Sequence, residues 1–281
     1  MTRNTRGFTL TELLVATVVM SILGLALTRI LIGDSRFVSK VEAMMNARQV
    51  ARAAMNTMGV ELQMVSQGGL TAASRTRVRA RVPYAFGILC DRFWTGDRWI
   101  RYAVLVPTDS LMYANATANG MAWRNASGDY TFHDRNPRAR PGNPARMTLC
   151  AGEGIRTDLP KSQFIRMRIL DDTLTAGDVF YLYQDIRYRF STSVEVPGRL
   201  GLWRRRSGDI WKELLAPFDP SSAFRFYVVG GDTSRIVPPS DLSTVTGLGM
   251  VLVGASEVTP QGSSAPPSFE IRTRVNFLNR R

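Results

Sequence analysis

Histidine, lysine and cysteine are scarce in this 281-residue chain, and each scarcity closes off a class of chemistry. His133 is the single histidine, and apart from the nearby Asp129 and Asp134 it has no identifiable catalytic partner. A Ser/His/Asp constellation therefore finds no support, and the chain reads as non-enzymatic. Cys90 and Cys150 are the two cysteines, too few for a disulfide scaffold and without the CxxC spacing of a metal knuckle. One disulfide and two buried thiols both fit them. Asp171, Asp172 and Asp178 lack the spacing of an EF-hand loop and read as an acidic turn between strands. No metal or cofactor is expected, and no internal repeat is visible.

Lys40, Lys161 and Lys212 are the only lysines, so the formal net charge of +13 is carried by arginine. Such a surface attracts polyanions. Arg75, Arg77, Arg79 and Arg81 alternate with Thr76, Val78 and Ala80, so an extended backbone puts all four on one side. That row suits DNA phosphates or anionic polysaccharide, and equally a solvated strand face or a salt-bridged subunit contact. With 44% apolar and 21% charged residues, the chain can bury a sizeable core and does not read as disordered.

From Phe8 to Thr28 charge is almost missing, Glu12 being the single exception. The run matches the roughly 20 residues a helix needs to cross hydrocarbon. Arg3 and Arg6 precede it, which places the N-terminus on the cytoplasmic side and the remainder outside. A secretory signal would put a small-residue cleavage site after the apolar run, whereas here Gly7 comes before it. Glu12 is the anomaly. A carboxylate within an apolar helix costs about 3 kcal/mol near the bilayer centre and calls for a partner.

The string GFTLTELLVA, residues 7–16, resembles the class III leader of type IV prepilins and type II secretion pseudopilins. The resemblance implies cleavage after Gly7 by a membrane prepilin peptidase and methylation of the new N-terminal residue, Phe8. It implies that Glu12, the fifth mature residue, meets the N-terminal ammonium of a neighbouring subunit during assembly.

Beyond the apolar run, Val41, Met44, Ala47, Ala51, Met55, Met58, Leu62 and Val65 recur at steps of mostly three and four, predicting an amphipathic continuation to about Ser66. Gly33 and Asp34 are expected to bend or loosen the helix, and Gly68-Gly69 to end it. The expected organisation is a leader over residues 1–7, a helix over 8–66 with 8–32 in the membrane, and a β-rich extracytoplasmic region over 67–281. Candidate strands are Phe86–Cys90, Ile100–Val106, Met147–Cys150, Phe164–Leu170, Val179–Tyr183, Ile186–Phe190, Leu200–Arg206, Ile210–Leu214, Ala223–Val229, Leu248–Val253 and Phe269–Phe277. Residues 134–144 and 260–267 read as loops. The fold class is α+β: a long N-terminal helix packed on an antiparallel sheet, the pilin fold.

A looser resemblance covers residues 178–281. Tyr188, Gly201-Leu202-Trp203-Arg204, Phe224, Phe226 and Tyr227, and the closing Asn279-Arg280 are similar in type to PilW-type minor pilins and the J-type minor pseudopilin. Residues 70–175 carry no recognisable pattern. The resemblance implies a structural subunit, a minor pilin or minor pseudopilin that initiates or caps a filament. It would sit in the inner membrane first and in a pilus or pseudopilus afterwards, with other pilin subunits and the prepilin peptidase as partners. The alternative is a pilin-like protein that binds DNA weakly through its basic surface during uptake.

Overall fold

A computed structural model describes residues 9–94, 99–143, 146–155, 163–169 and 174–277. Gly7, Phe8, Asp171, Asp172, Asn279 and Arg280 lie outside them.

The first element, α1, runs without interruption from Leu10 to Gln63, 54 residues or about 80 Å at 1.5 Å per residue. Thr9 and Glu12 cap it reciprocally, satisfying donors that the first turn leaves open. The helix continues unbroken through Gly33 and Asp34. A single glycine lowers helix propensity by about 1 kcal/mol, which long flanking turns absorb. The helix stops just short of Ser66, where the Met64 amide donates to the Glu61 carbonyl, the Val65 amide donates to that of Leu62, and the chain turns through Gly68 at φ 78°.

Only the second half of α1 is buried, along Ala43, Ala47, Ala51, Ala54, Met58 and Leu62. The expected stripe is corrected at its start: Val41 and Met44 remain 40% and 39% exposed. Alanine marks the seam because the sheet comes close to the helix. At Gly254 a β-carbon would collide with the Ala47 carbonyl oxygen, so two elements lacking side-chain bulk meet nearly backbone to backbone.

Thirteen strands among the described residues form one antiparallel sheet. They are β1 (Leu70–Ser74), β2 (Arg77–Trp94), β3 (Trp99–Leu105), β4 (Gly120–Arg124), β5 (Tyr130–His133), β6 (Arg140–Pro141), β7 (Gln163–Ile169), β8 (Val179–Thr192), β9 (Leu200–Arg206), β10 (Lys212–Phe218), β11 (Ala223–Val228), β12 (Val245–Ala255) and β13 (Ser268–Asn276). The main order is β11-β12-β10-β9-β8-β2-β3-β7-β6.

Two long strands, β2 and β8, run through both halves of this sheet. At one end, Val78, Ala80, Ile186, Tyr188 and Phe190 join Leu202, Phe224, Leu248 and the face of α1 in the larger core. At the other, Ala85, Leu89, Phe180 and Leu182 join Ala103, Trp123, Ile165 and Met167 in a second core. Two strands were expected in place of β8 because Gln184-Asp185 interrupts its apolar alternation. The ladder continues through them because β2 supplies partners on one edge while β4 and then β9 supply them on the other.

Met147–Cys150, expected as a strand, is instead the start of a short helix over Thr148–Gly152, with the Met147 carbonyl accepting from Cys150 and Ala151. A four-residue apolar run has no period that separates strand from helix. His133 closes β5 opposite Met121.

Candidate assembly helix and arginine face

Glu12 sits in the first turn of α1. Its Oε2 accepts from both the Thr9 amide and hydroxyl at 3.0 Å, and its own amide donates to Thr9 Oγ1 at 3.3 Å. Oε1 has no partner among the described residues. From Leu10 to Met45 the large apolar side chains are exposed, Leu10 by 80% and Phe37 by 68%. This stretch is long and apolar enough to cross a membrane. An apolar surface of this extent on an isolated chain calls for lipid or other subunits.

The opposite end of α1 is anchored by polar groups. Arg204 of β9 forms an ion pair with Glu61, its Nε donating to Oε2 at 3.1 Å, and the Tyr188 hydroxyl donates to the same oxygen. Burial and then the Glu61 charge push the Tyr188 hydroxyl well above its usual range, so it is a donor at any physiological pH. Just past the helix, the Ser66 and Tyr181 hydroxyls pair at 2.6 Å.

Cys90 in β2 and Cys150 are joined by a disulfide with a Cα–Cα distance of 4.5 Å, closing a sequence separation of 60. The bridge ties the short helix over 148–152 to the second half of the sheet, beside Tyr102, Val104 and Phe164.

The four arginines of the 75–81 row do not form one free surface. Arg75 lies at the turn between β1 and β2. Arg81 pairs with Asp134, donates to the Gly68 carbonyl at 3.0 Å and covers the Phe132 ring at 4.3 Å. Arg79 pairs with Asp185, leaving Arg75 and Arg77 as the exposed members. The pairing of β2, β8 and β9 instead places Arg77 and Arg79 beside Arg187, Arg189 and Arg205, a grouping invisible in the sequence because the β2 arginines lie over a hundred residues from those of β8 and β9. Of the acidic turn, Asp178 accepts from the Thr175 amide and hydroxyl, an ordinary turn role.

Residues 2–28 match the family model described as the prokaryotic N-terminal methylation motif. No curated protein and no solved structure matches the chain. The matched segment contains Gly7, Phe8 and Glu12, and it supports a class III prepilin leader of the pilin and pseudopilin kind. The motif indicates a type IV pilin-like subunit, and the exposed half of α1 is consistent with anchoring in the inner membrane and incorporation into a filament.

Proposed function

We propose that this chain is a minor pilin or minor pseudopilin that helps initiate or cap a type IV pilus-like filament. The observation that carries the reading is the division of α1: a methylation motif and an unburied apolar half at one end, and a half that forms the floor of the sheet core at the other. Residues 1–7 are the leader, Phe8 becomes the methylated N-terminus, 8–32 cross the membrane, and 67–281 fold outside the cytoplasm.

Assembly exchanges lipid for neighbouring helices around the apolar half. Lipid is as apolar as those helices, so packing and polar contacts rather than hydrophobic gain must select the register. Glu12 supplies the polar contact, its carboxylate accepting from the ammonium of a neighbour's Phe8. The minor role is supported by the size of the sheet, thirteen strands on one helix among the described residues, and by the PilW-like and J-like pattern of residues 178–281.

The test is Glu12→Ala in cells that assemble the filament. Membrane insertion and leader cleavage stay intact, because a charge costly to the bilayer has been removed, whereas recovery in sheared filaments falls at least tenfold. Wild-type recovery of the variant would remove Glu12 from the assembly role.

A further inference from the structure

On the face of the sheet opposite Val78 and Tyr188, the register of three strands builds a block of like charge. Arg77 of β2 lies beside Arg189 of β8, which lies beside Trp203 of β9. One step along, Arg79 lies beside Arg187, and Arg187 beside Arg205. Neighbouring members stand about 5 Å apart across the strands and about 7 Å apart along them. Like charges directly opposite one another destabilise a sheet.

Compensation within the chain is sparse. Asp185 takes Arg79. Glu213, which faces Trp203 from β10, gives its Oε2 to the Val194 and Glu195 amides. The Nε atoms of Arg187, Arg189 and Arg205 are covered and have no hydrogen-bond partner among the described residues. Burial, then the charges of Arg79 and Arg205, lowers the Arg187 guanidinium from its usual value. Burial, then Arg77 and Arg205, does the same to Arg189.

Two of the guanidiniums, those of Arg189 and Arg205, are held in place by stacking. Arg189 Cζ lies 4.2 Å from the Trp211 ring centroid and 5.6 Å from that of Trp203, and Arg205 Cζ lies 5.6 Å from Trp211. Stacking leaves the planar donor forks for an anion, and the fork geometry fits phosphate bidentately. A second copy of this chain is a poor source of that anion, since its formal charge is +13. A polymer that repeats an anion along a line satisfies several closely spaced guanidiniums at once, which scattered carboxylates on a folded protein do not.

We propose that the outer face of β2, β8 and β9 binds the phosphodiester backbone of a nucleic acid, with Arg77, Arg187, Arg189 and Arg205 as the phosphate contacts. The assignment is independent of filament assembly.

The test uses the full chain in non-ionic detergent and a fluorescent DNA of about 20 nucleotides, offered single-stranded and as its duplex, across a salt series. Four contacts give a slope of log K against log salt of about −3.6 on the duplex and about −2.8 on the single strand. Replacing Arg187 and Arg189 together by Gln cuts that slope by about half and weakens binding at least tenfold at low salt. The Lys pair retains the slope, and Arg138→Gln with Arg166→Gln, in the segment before β6 and in β7, leaves both quantities unchanged.

A further measurement needs no variant: DNA protects Arg187, Arg189 and Arg205 of the wild-type chain from phenylglyoxal, read by peptide mass spectrometry. Preferential binding of the single strand or the duplex identifies the source of the phosphates. The proposal fails if the Gln pair binds like wild type, if the Arg138/Arg166 pair loses as much, or if those arginines are unprotected. It fails equally if polyglutamate of matched charge competes as well as unlabelled DNA, which would assign the face to an acidic protein.

Discussion

Glu61 of α1 accepts from Arg204 of β9, and this ion pair joins the last turn of the helix to the middle of the sheet. Both side chains are about one-fifth exposed. Its worth therefore falls between the near-zero value of exposed pairs and the several kcal/mol lost when a buried pair is broken.

Glu61→Gln is expected to cost about 2 kcal/mol, lowering the melting temperature by about 5 °C. Tyr188→Phe, which removes one donor while leaving the pair, costs about 1 kcal/mol. Thermal unfolding followed by near-UV circular dichroism reads both. An unchanged transition in Glu61→Gln would show that the pair does not anchor the helix.

Processing is expected to produce a chain that begins with N-methylated Phe8. Loss of residues 1–7 takes away Arg3 and Arg6, so the formal charge falls from +13 by 2, to +11. Mass spectrometry of the N-terminal peptide checks this, and an intact Met1 in cells with active prepilin peptidase contradicts it.

Thiol labelling of unfolded, unreduced protein is expected to find neither Cys90 nor Cys150 free. Replacing both by Ser opens a loop of about 60 residues and should cost roughly 2–4 kcal/mol. Two labelled thiols in protein taken from outside the cytoplasm would exclude the bridge there.

Truncation at Ser35 is expected to give a soluble fragment, because it removes most of the exposed apolar run and keeps the seam from Ala43 to Leu62. Truncation at Gly69 should aggregate. It strips Ala51, Ala54, Met58 and Leu62 from the larger core and uncovers Phe224, Leu248 and Leu252. Size-exclusion chromatography distinguishes the two, and a monomeric fragment from the Gly69 cut would disprove the dependence of the sheet on the helix.

Acid is expected to release Asp134. Burial opposes its charged form, but hydrogen bonds from Tyr183 and Arg81 outweigh that and hold its carboxyl below the usual range. The folded value lies below the unfolded one. The contribution is therefore present above the unfolded carboxylate range near pH 4 and is lost as pH falls through the lower folded value. With its side chain 60% exposed, Asp134 contributes less than about 1 kcal/mol. Wild type and Asp134→Asn should differ slightly in melting temperature at pH 6 and converge near pH 2. A constant offset across that range would assign the difference to something other than this charge.

Much of the helix could be read in advance because its signals are local. Thr9 and Glu12 stand in capping-box spacing, the apolar run is uninterrupted, and Gly68-Gly69 punctuates its end. Several strands were legible for the same reason, β13 among them: Arg272, Arg274 and Asn276 alternate with Ile271, Thr273 and Val275. Local reading failed where a partner decides. Val82, Tyr84 and Phe86 give little warning that β2 extends from Arg77 to Trp94, because its edges are defined by β3 and β8, far away in sequence.

The amino-acid sequence by itself determined that this chain carries an N-terminal methylation motif, one long apolar helix with a single carboxylate near its start, and an arginine-rich remainder patterned for strands. These depend on residues within a few turns of one another. Only the tertiary structure decided which arginines gather. It assigned Arg81 to Asp134 and Arg204 to Glu61, and it brought Arg77, Arg187, Arg189 and Arg205 together through strand register. Register comes from burying Val78, Tyr188 and Leu202 against α1. The positions of the outer charges are thus dictated by the apolar residues that alternate with them.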